Sequence, residues 1–200
     1  ISSTSCNKFL DVTPEGEILA EDAIKTPADM QLLLNGCYDV LRSGKFAGML
    51  RGIAELMSDN INGINVTGDY NEYYLRNFTI FNGTTRDFWK DGYITIYRTN
   101  VVLQNLDVIE LTETEKNRIK GEALFIRAIS HFEILRLFAH PYGYTTDNSH
   151  LGIPLRLKPS KEPLARSTVQ EVYDQVINDL EEAVELIPAQ NGIYATSWSA

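Results

Sequence analysis

The sequence has few of the residues from which catalytic and metal sites are usually built. Its 200 residues include two cysteines and three histidines, His131, His140 and His150. The histidines lie nine or more positions apart, a spacing that matches no zinc motif. A Gly-rich phosphate loop, a G-x-S-x-G elbow and an H-E-x-x-H helix are also missing. We therefore predict no metal, no cofactor and no catalytic residue in this chain.

Positive charge and long apolar runs are scarce as well. Lys and Arg number 18 against 27 Asp and Glu, which gives a formal charge of −9. A nucleic-acid groove needs clustered basic residues, so nucleic acid is excluded as a partner. No run approaches the ~20 apolar residues of a membrane-spanning helix. With 44% hydrophobic residues the chain can build a core, and its surface suits neutral ligands or proteins.

The stretch Arg118 to Gly143 predicts a helix that is buried on several sides. Apolar residues recur at helical spacing around most of its circumference: Ile119, Ala123, Ile126, Ile129, Phe132 and Leu135. Such a helix lies in the middle of a helical stack. Ala128 and Phe132 repeat the A-x-x-x-F spacing of the second helix in a tetratricopeptide unit. We expect an all-α fold of tetratricopeptide-like helical repeats with long loops.

Four other helices are expected around this central one. They cover Ala28–Leu41, Gly52–Asn60, Thr85–Leu106 and residues 168–187. The spacings Thr112 to Glu115 and Thr168 to Glu171 predict capping boxes at two helix starts.

The last helix carries an apolar face that includes Val176, Leu180 and Val184. Because this face calls for neighbours after Ala200, we expect residues 28–200 to form a helical repeat region that is truncated at its C-terminal end.

Residues 1–27 are expected to form an extended leader that contains Cys6. No packing pattern explains this cysteine, and three interpretations stay open: an incidental residue, a disulfide with Cys37, or a lipid-modified N-terminus preceded by the end of a signal peptide. Cys37 itself lies in a helical pattern and is predicted to be a small buried hydrophobe.

The segment Asn60–Gly83 differs from the rest, with six asparagines, three tyrosines and no helical period. We predict a long ordered loop with a short strand over Tyr73–Phe81. Neutral sugars have an apolar ring face and many hydroxyls, which flat aromatic rings and amides can match. The candidate ligand-binding residues are Tyr70, Asn71, Tyr73, Tyr74, Arg76 and Asn77.

A structural interpretation of the same segment is equally open. The tyrosines would pack the loop onto the helices, the asparagines would cap turns, and Arg76 would pair with an acidic neighbour. If the segment is extended, adjacent side chains alternate. One of Tyr73 and Tyr74 should then anchor the loop while the other faces a ligand.

Seven segments in order resemble the SusD/RagB family. They are C-N-K-F-L-D-V from Cys6, Glu55–Asn60, Phe88–Asn100, Glu122–Ala128, Leu135–Phe138, the G-I-P-L run from Gly152, and Arg166–Asp174. The resemblance implies a helical outer-membrane lipoprotein at the Bacteroidetes cell surface, anchored by a lipid on Cys6. It also implies a non-enzymatic protein that captures glycans, or in some branches oligopeptides, as a lid over a SusC-like TonB-dependent transporter. Family members are much longer, so this chain would hold the first repeats and part of a ligand site.

Two other function classes place different demands on the sequence. A generic tetratricopeptide scaffold that binds a protein partner would need neither a lipidated Cys6 nor a long Tyr/Asn loop. An enzyme such as a helical glycoside hydrolase would need two carboxylates across a sugar, and the sequence nominates none.

Overall fold

A computed structural model of the chain describes residues 24–61 and 65–188. Within these ranges the chain forms six α-helices: α1 (Pro27–Leu41), α2 (Ala47–Met57), α3 (Asp69–Leu75), α4 (Gly83–Asn105), α5 (Glu113–Phe138) and α6 (Val169–Leu186). The one extended pairing in this part is an isolated antiparallel bridge between Leu151 and Thr168. The all-α prediction is confirmed, whereas the tetratricopeptide pattern stays a prediction. Cys6 and most of the predicted leader lie outside the described residues.

Three of the helices begin at threonine capping boxes. Thr26, Thr112 and Thr168 each accept a hydrogen bond from the backbone N–H three residues later. The acidic side chain at that later position accepts one from the threonine N–H in return. Each such cap stabilises its helix by about 0.5–2 kcal/mol. The capping boxes predicted at Thr112 and Thr168 are confirmed.

Helix α5 is the central element, as its apolar circumference predicts. It packs against α1, α4 and α6. Glycines permit two of these approaches: a Cβ at Gly121 would lie 2.7 Å from Ile187 Cγ1, and one at Gly92 would lie 2.7 Å from Ile134 Cδ1. Each helix pair is therefore closer than any larger residue at these positions would allow.

A buried polar network joins α4, α5 and α6. The Arg127 guanidinium donates two hydrogen bonds of 2.7 Å to the Asp179 carboxylate and a third, of 3.0 Å, to Asn100 Oδ1. The Asn100 side chain in turn donates to the Arg156 carbonyl at 3.0 Å. We call Arg127, Asp179 and Asn100 the charged clasp. No buried side-chain nitrogen or oxygen in the described ranges lacks a partner.

His131 lies beside the clasp and is completely buried. Its Nδ1 lies 3.0 Å from the Arg127 carbonyl, and its Nε2 accepts from the Arg156 N–H at 3.3 Å. This pattern requires a neutral ring with the proton on Nδ1. Burial, and secondarily the charge on Arg127, lower the pKa of His131 to about 3. His131 is therefore a packed and hydrogen-bonded residue of the core.

Helix α5 ends at Phe138, whereas the sequence pattern predicted a helix that continues to Gly143. Helix α2 begins at Ala47 and ends at Met57, whereas the sequence pattern predicted Gly52–Asn60. Helix α2 starts directly after Phe46, which is fully buried. The Phe46 ring packs edge-on against Phe88 with a centroid distance of 4.9 Å. Val176 on α6 is buried, so the expectation that this side chain needs a neighbour after Ala200 is wrong. Val184 on the same helix is exposed.

The described residues contain no helix whose length and hydropathy would suit a membrane crossing.

Candidate functional site

Helix α3 occupies the centre of the segment that was predicted to be an irregular loop with a short strand. That prediction is wrong for residues 69–75, which are helical. The helix begins after Gly68 at φ 60° and ends at Arg76 in the left-handed region at φ 52°. The positive φ angles of Gly68 and Arg76 bound the helix on both sides. The helix is therefore too short to show a helical period in the sequence. Tyr70, Tyr73 and Tyr74 therefore lie on neighbouring positions of one helix and do not alternate.

Tyr73 anchors α3 to the rest of the molecule. Its side chain is fully buried, and its hydroxyl lies 2.7 Å from Thr85 Oγ1 at the start of α4. Burial raises the pKa of the phenol. The ring also meets Phe78 edge-on, with a centroid distance of 5.0 Å. Tyr73 has no surface to offer a ligand here.

The other predicted ligand-binding residues lie at or near the surface. Tyr70 is 44% exposed, Tyr74 is half-buried against the core, and Asn71 and Asn77 are half-buried and exposed respectively. Arg76 forms an ion pair with Asp59 and donates from Nε to the Met57 carbonyl at 3.0 Å. Its pairing follows the structural interpretation, with an acidic neighbour.

The chain between α3 and α4 is held in place by two carboxylates. Glu72 accepts hydrogen bonds from the Thr79 N–H at 2.8 Å, the Thr79 hydroxyl at 3.1 Å and the Asn82 amide at 3.0 Å. These bonds, led by the one from the Thr79 backbone, lower the pKa of Glu72. Asp69 accepts from the Thr84 N–H at 2.7 Å. These hydrogen bonds fix the backbone between α3 and α4, and with it the positions of the side chains on that segment.

This rigid connection presents large apolar side chains to solvent. Ile80 is 93% exposed and Phe81 84% exposed, and Leu75 and Phe78 are exposed beside them. We call these four residues the α3–α4 tip. Contiguous exposed apolar side chains in a soluble protein mark interaction surfaces. None of the four tip residues is among the candidates predicted from the sequence, although the apolar F-T-I-F run over residues 78–81 was a usable signal.

A second aromatic surface lies at the same end of the helical stack. Phe138, at the end of α5, packs on Phe88 and Trp89 near the start of α4, with centroid distances of 6.2 and 4.8 Å. The chain that follows α5 therefore emerges beside the end of α4 to which α3 is attached. In that chain His140 stacks on Tyr144 at 4.1 Å with the rings nearly parallel.

The described residues form no group of His, Cys, Asp or Glu suited to a metal ion. The α3 region presents aromatic rings, amides and apolar side chains.

A protein-family comparison matches residues 8–200 to the SusD-like family described as starch-binding and associating with the outer membrane. The chain belongs to the SusD-like family. Among curated relatives, two SusD-like proteins of Formosa agariphila are 26% identical over 182 residues and 28% identical over 199 residues. These alignments cover 90% and 96% of this chain but 35% and 36% of the relatives. The chain therefore spans about a third of the relatives' length.

Solved structures of the family share the helical arrangement. A SusD superfamily protein of Bacteroides thetaiotaomicron is 29% identical, with a TM-score of 0.71 over 84% of this chain and 39% of its own. A SusD-like carbohydrate-binding protein of Bacteroides vulgatus is also 29% identical, with a TM-score of 0.69 over 86% of this chain and 38% of its own. The family resemblance noted from the sequence motifs is confirmed.

Proposed function

We propose that this protein binds glycans at the cell surface and delivers them to a TonB-dependent transporter, as a non-enzymatic component of nutrient uptake. The observation that carries the proposal is the family match over residues 8–200, to a family described as starch-binding and outer-membrane-associated. Oligopeptides are the alternative ligand class. Cofactors are not required, because recognition of neutral sugars needs stacking surfaces and hydrogen bonds only.

The α3 region supplies the chemistry for a sugar contact. Tyr70 and Phe81 present exposed ring faces, and Asn71 and Asn77 add amides that both donate and accept hydrogen bonds. Because Glu72 and Tyr73 fix the backbone that carries them, little conformational entropy is lost on binding. Tyr74, half-buried, contributes through the position of α3.

Titration calorimetry with starch-derived and laminarin-derived oligosaccharides, and with a mixed oligopeptide pool, tests the ligand class and the site together. Tyr70→Ala combined with Phe81→Ala should weaken binding by about 1–3 kcal/mol, the range for aromatic hot spots. Tyr97→Ala is the matched control, because Tyr97 is an exposed tyrosine on α4. Unchanged binding by the double variant would place the site outside the α3 region.

Membrane anchoring is proposed at Cys6, through multiple acyl chains, since a single chain binds a bilayer only marginally. Cys6→Ala should move the protein from washed outer membranes to the soluble fraction in its native host. Cys37→Ala is the control: Cys37 is fully buried with a free thiol whose pKa burial raises to about 12. Retention of the Cys6 variant in the membranes would refute the anchor.

A protein-binding scaffold is the second candidate function, and one observation favours it. Ile80 and Leu75 are aliphatic and offer no hydrogen bond to a sugar, whereas aliphatic side chains suit the apolar centre of a protein interface. A transporter partner would satisfy both candidates. Co-purification of a SusC-like transporter with wild-type protein, but not with Ile80→Ser, would assign the tip to that contact.

A further inference from the structure

We propose that a second sugar-binding subsite lies between the end of α5 and the start of α6, walled by Phe132, Tyr142 and Tyr173. The cavity has a volume of about 290 Å³ and is also lined by Arg136 and His140. This volume is just below the ~300–1,000 Å³ that small-molecule sites occupy, so the cavity suits one sugar ring and not a longer oligosaccharide. The assignment of a sugar rests on the proposed function.

The walls of the cavity are aromatic rings in fixed orientations. Tyr173 meets Phe132 edge-on at a centroid distance of 6.0 Å and Tyr142 at 4.7 Å. Tyr142 is 52% exposed, which leaves its ring accessible from solvent. Aromatic faces of this kind pack against the apolar C–H face of a pyranose ring.

The polar groups of the cavity suit a neutral ligand. Arg136 lies over the Phe132 ring, 5.4 Å from the centroid, and donates from Nη1 to Glu133 at 2.9 Å. The carboxylate balances the guanidinium charge, while the other guanidinium N–H groups can donate to sugar hydroxyls. The Tyr142 hydroxyl donates to Gln170 Oε1 at 3.2 Å and retains lone pairs that accept. An anionic ligand would meet no uncompensated positive charge from Arg136.

The backbone that carries Tyr142 is preorganised by a buried asparagine. Asn148 Oδ1 accepts from the Gly143 N–H at 2.6 Å, and its amide donates to Gln170 Oε1 at 3.2 Å. The Gln170 N–H donates to the Asn148 carbonyl at 3.1 Å. Tyr142 and the start of α6 are therefore locked together before any ligand arrives, which lowers the entropic cost of binding.

A larger cavity of about 510 Å³ between α4 and residues 157–159 lacks this character. Its lining comprises Asn100, Leu103, Gln104, Leu157, Lys158 and Pro159, without an aromatic ring. It offers no stacking surface for a sugar, so the smaller aromatic cavity is the better subsite.

The experiment is saturation-transfer NMR on the full chain with a panel of methyl pyranosides of glucose, galactose, mannose and xylose. All proteins carry Tyr70→Ala and Phe81→Ala, so that the α3 site is silent. In this background at least one pyranoside should bind, and adding Tyr142→Ala should weaken it by about tenfold, the loss expected at an aromatic hot spot. Tyr142→Phe should retain binding because it keeps the ring.

Tyr97→Ala is the matched control, since Tyr97 is an exposed tyrosine on α4 and does not line the cavity. Melting temperatures of the Tyr142 and Tyr97 variants equal to that of their parent protein establish that the fold is intact. If no pyranoside binds, or if binding survives Tyr142→Ala, the subsite is refuted.

These outcomes are separable from those for the proposed function. Oligosaccharide binding by the wild type without any pyranoside in the cavity would refute the subsite alone. Pyranoside binding in the silent background, lost with Tyr142→Ala, supports the subsite whatever the α3 variants do. Absence of binding by every glycan in both assays would refute both.

Discussion

The charged clasp and the α3–α4 tip invert the usual distribution of side chains. Arg127 and Asp179 are charged yet buried, whereas Ile80 and Phe81 are apolar yet exposed. In the clasp every polar atom has a partner, so burial carries no unsatisfied group. At the tip Ile80 and Phe81 are almost fully exposed to solvent.

The contrast separates the two roles that unusual residues have in this protein. The buried charges hold α4, α5 and α6 in fixed positions relative to one another. The exposed apolar groups contribute little to the fold and are available to a ligand or partner. Variants in the two regions should therefore differ in what they damage: stability in the clasp and binding at the tip.

The largest effect is expected from breaking the clasp. Asp179→Ala would leave Arg127 buried without its carboxylate, which costs about 3–5 kcal/mol of unfolding free energy. Urea denaturation measures the loss. Asp174→Ala, on the exposed side of the same helix, is the control and should change stability by less than about 0.5 kcal/mol. Similar losses in both variants would mean that the buried pair has no special role.

A smaller loss is expected from filling the close approach of α5 and α6. Gly121→Ala would place a methyl group 2.7 Å from Ile187 Cγ1 and 3.2 Å from the Ala183 carbonyl oxygen. Overpacking of this kind costs about 1–3 kcal/mol. Gly52→Ala on α2 has no atom within 4 Å and should be neutral or slightly stabilising, because alanine favours a helix. Thermal melts of the pair check the prediction.

The pH dependence of stability should report on His131, which lies beside the clasp. The folded pKa of His131 is about 3, below its ordinary value of 6.5, so the unfolded state binds more protons at mildly acidic pH. The contribution of the neutral His131 ring to the unfolding free energy is fully present above pH ~6.5, decreases below it, and is lost as the pH falls to about 3. Between pH 7 and 5.5 the loss is about 1 kcal/mol.

His131→Gln should remove that part of the pH dependence, because an amide can donate to the Arg127 carbonyl and accept from the Arg156 N–H without titrating. His140→Gln, the same substitution at an exposed histidine, is the control for the chemical change itself. Denaturation curves at several pH values distinguish the two. A His131→Gln profile identical to wild type would show that other groups set the acid sensitivity.

The smallest effect on stability is expected at the tip. Ile80→Ser should change the unfolding free energy by less than about 0.5 kcal/mol, because a side chain that is almost fully exposed loses little on replacement. Its solubility should rise, since an exposed apolar patch promotes association. Light scattering and thermal melts give both quantities. A loss of more than 1 kcal/mol would mean that the tip packs against another part of the chain.

The contrast also shows what the sequence could reveal. The helices with long apolar periods and Thr–Glu capping boxes were predictable, because periodicity and caps are local signals. Helix α3 was not, since seven residues hold too short a period, and its position depends on Tyr73 reaching Thr85. The cavity between α5 and α6 was also hidden: Tyr142 and Tyr173 are 31 positions apart in the chain, and their contact exists only in three dimensions.

The clasp has a consequence for which helices can pack without one another. Arg127 lies on α5, and its carboxylate partner is 52 positions later on α6. Packing of α4 on α5 in the absence of α6 would bury the Arg127 guanidinium without a carboxylate, and desolvation of that charge disfavours such a state. The clasp therefore couples the packing of α4 on α5 energetically to the docking of α6.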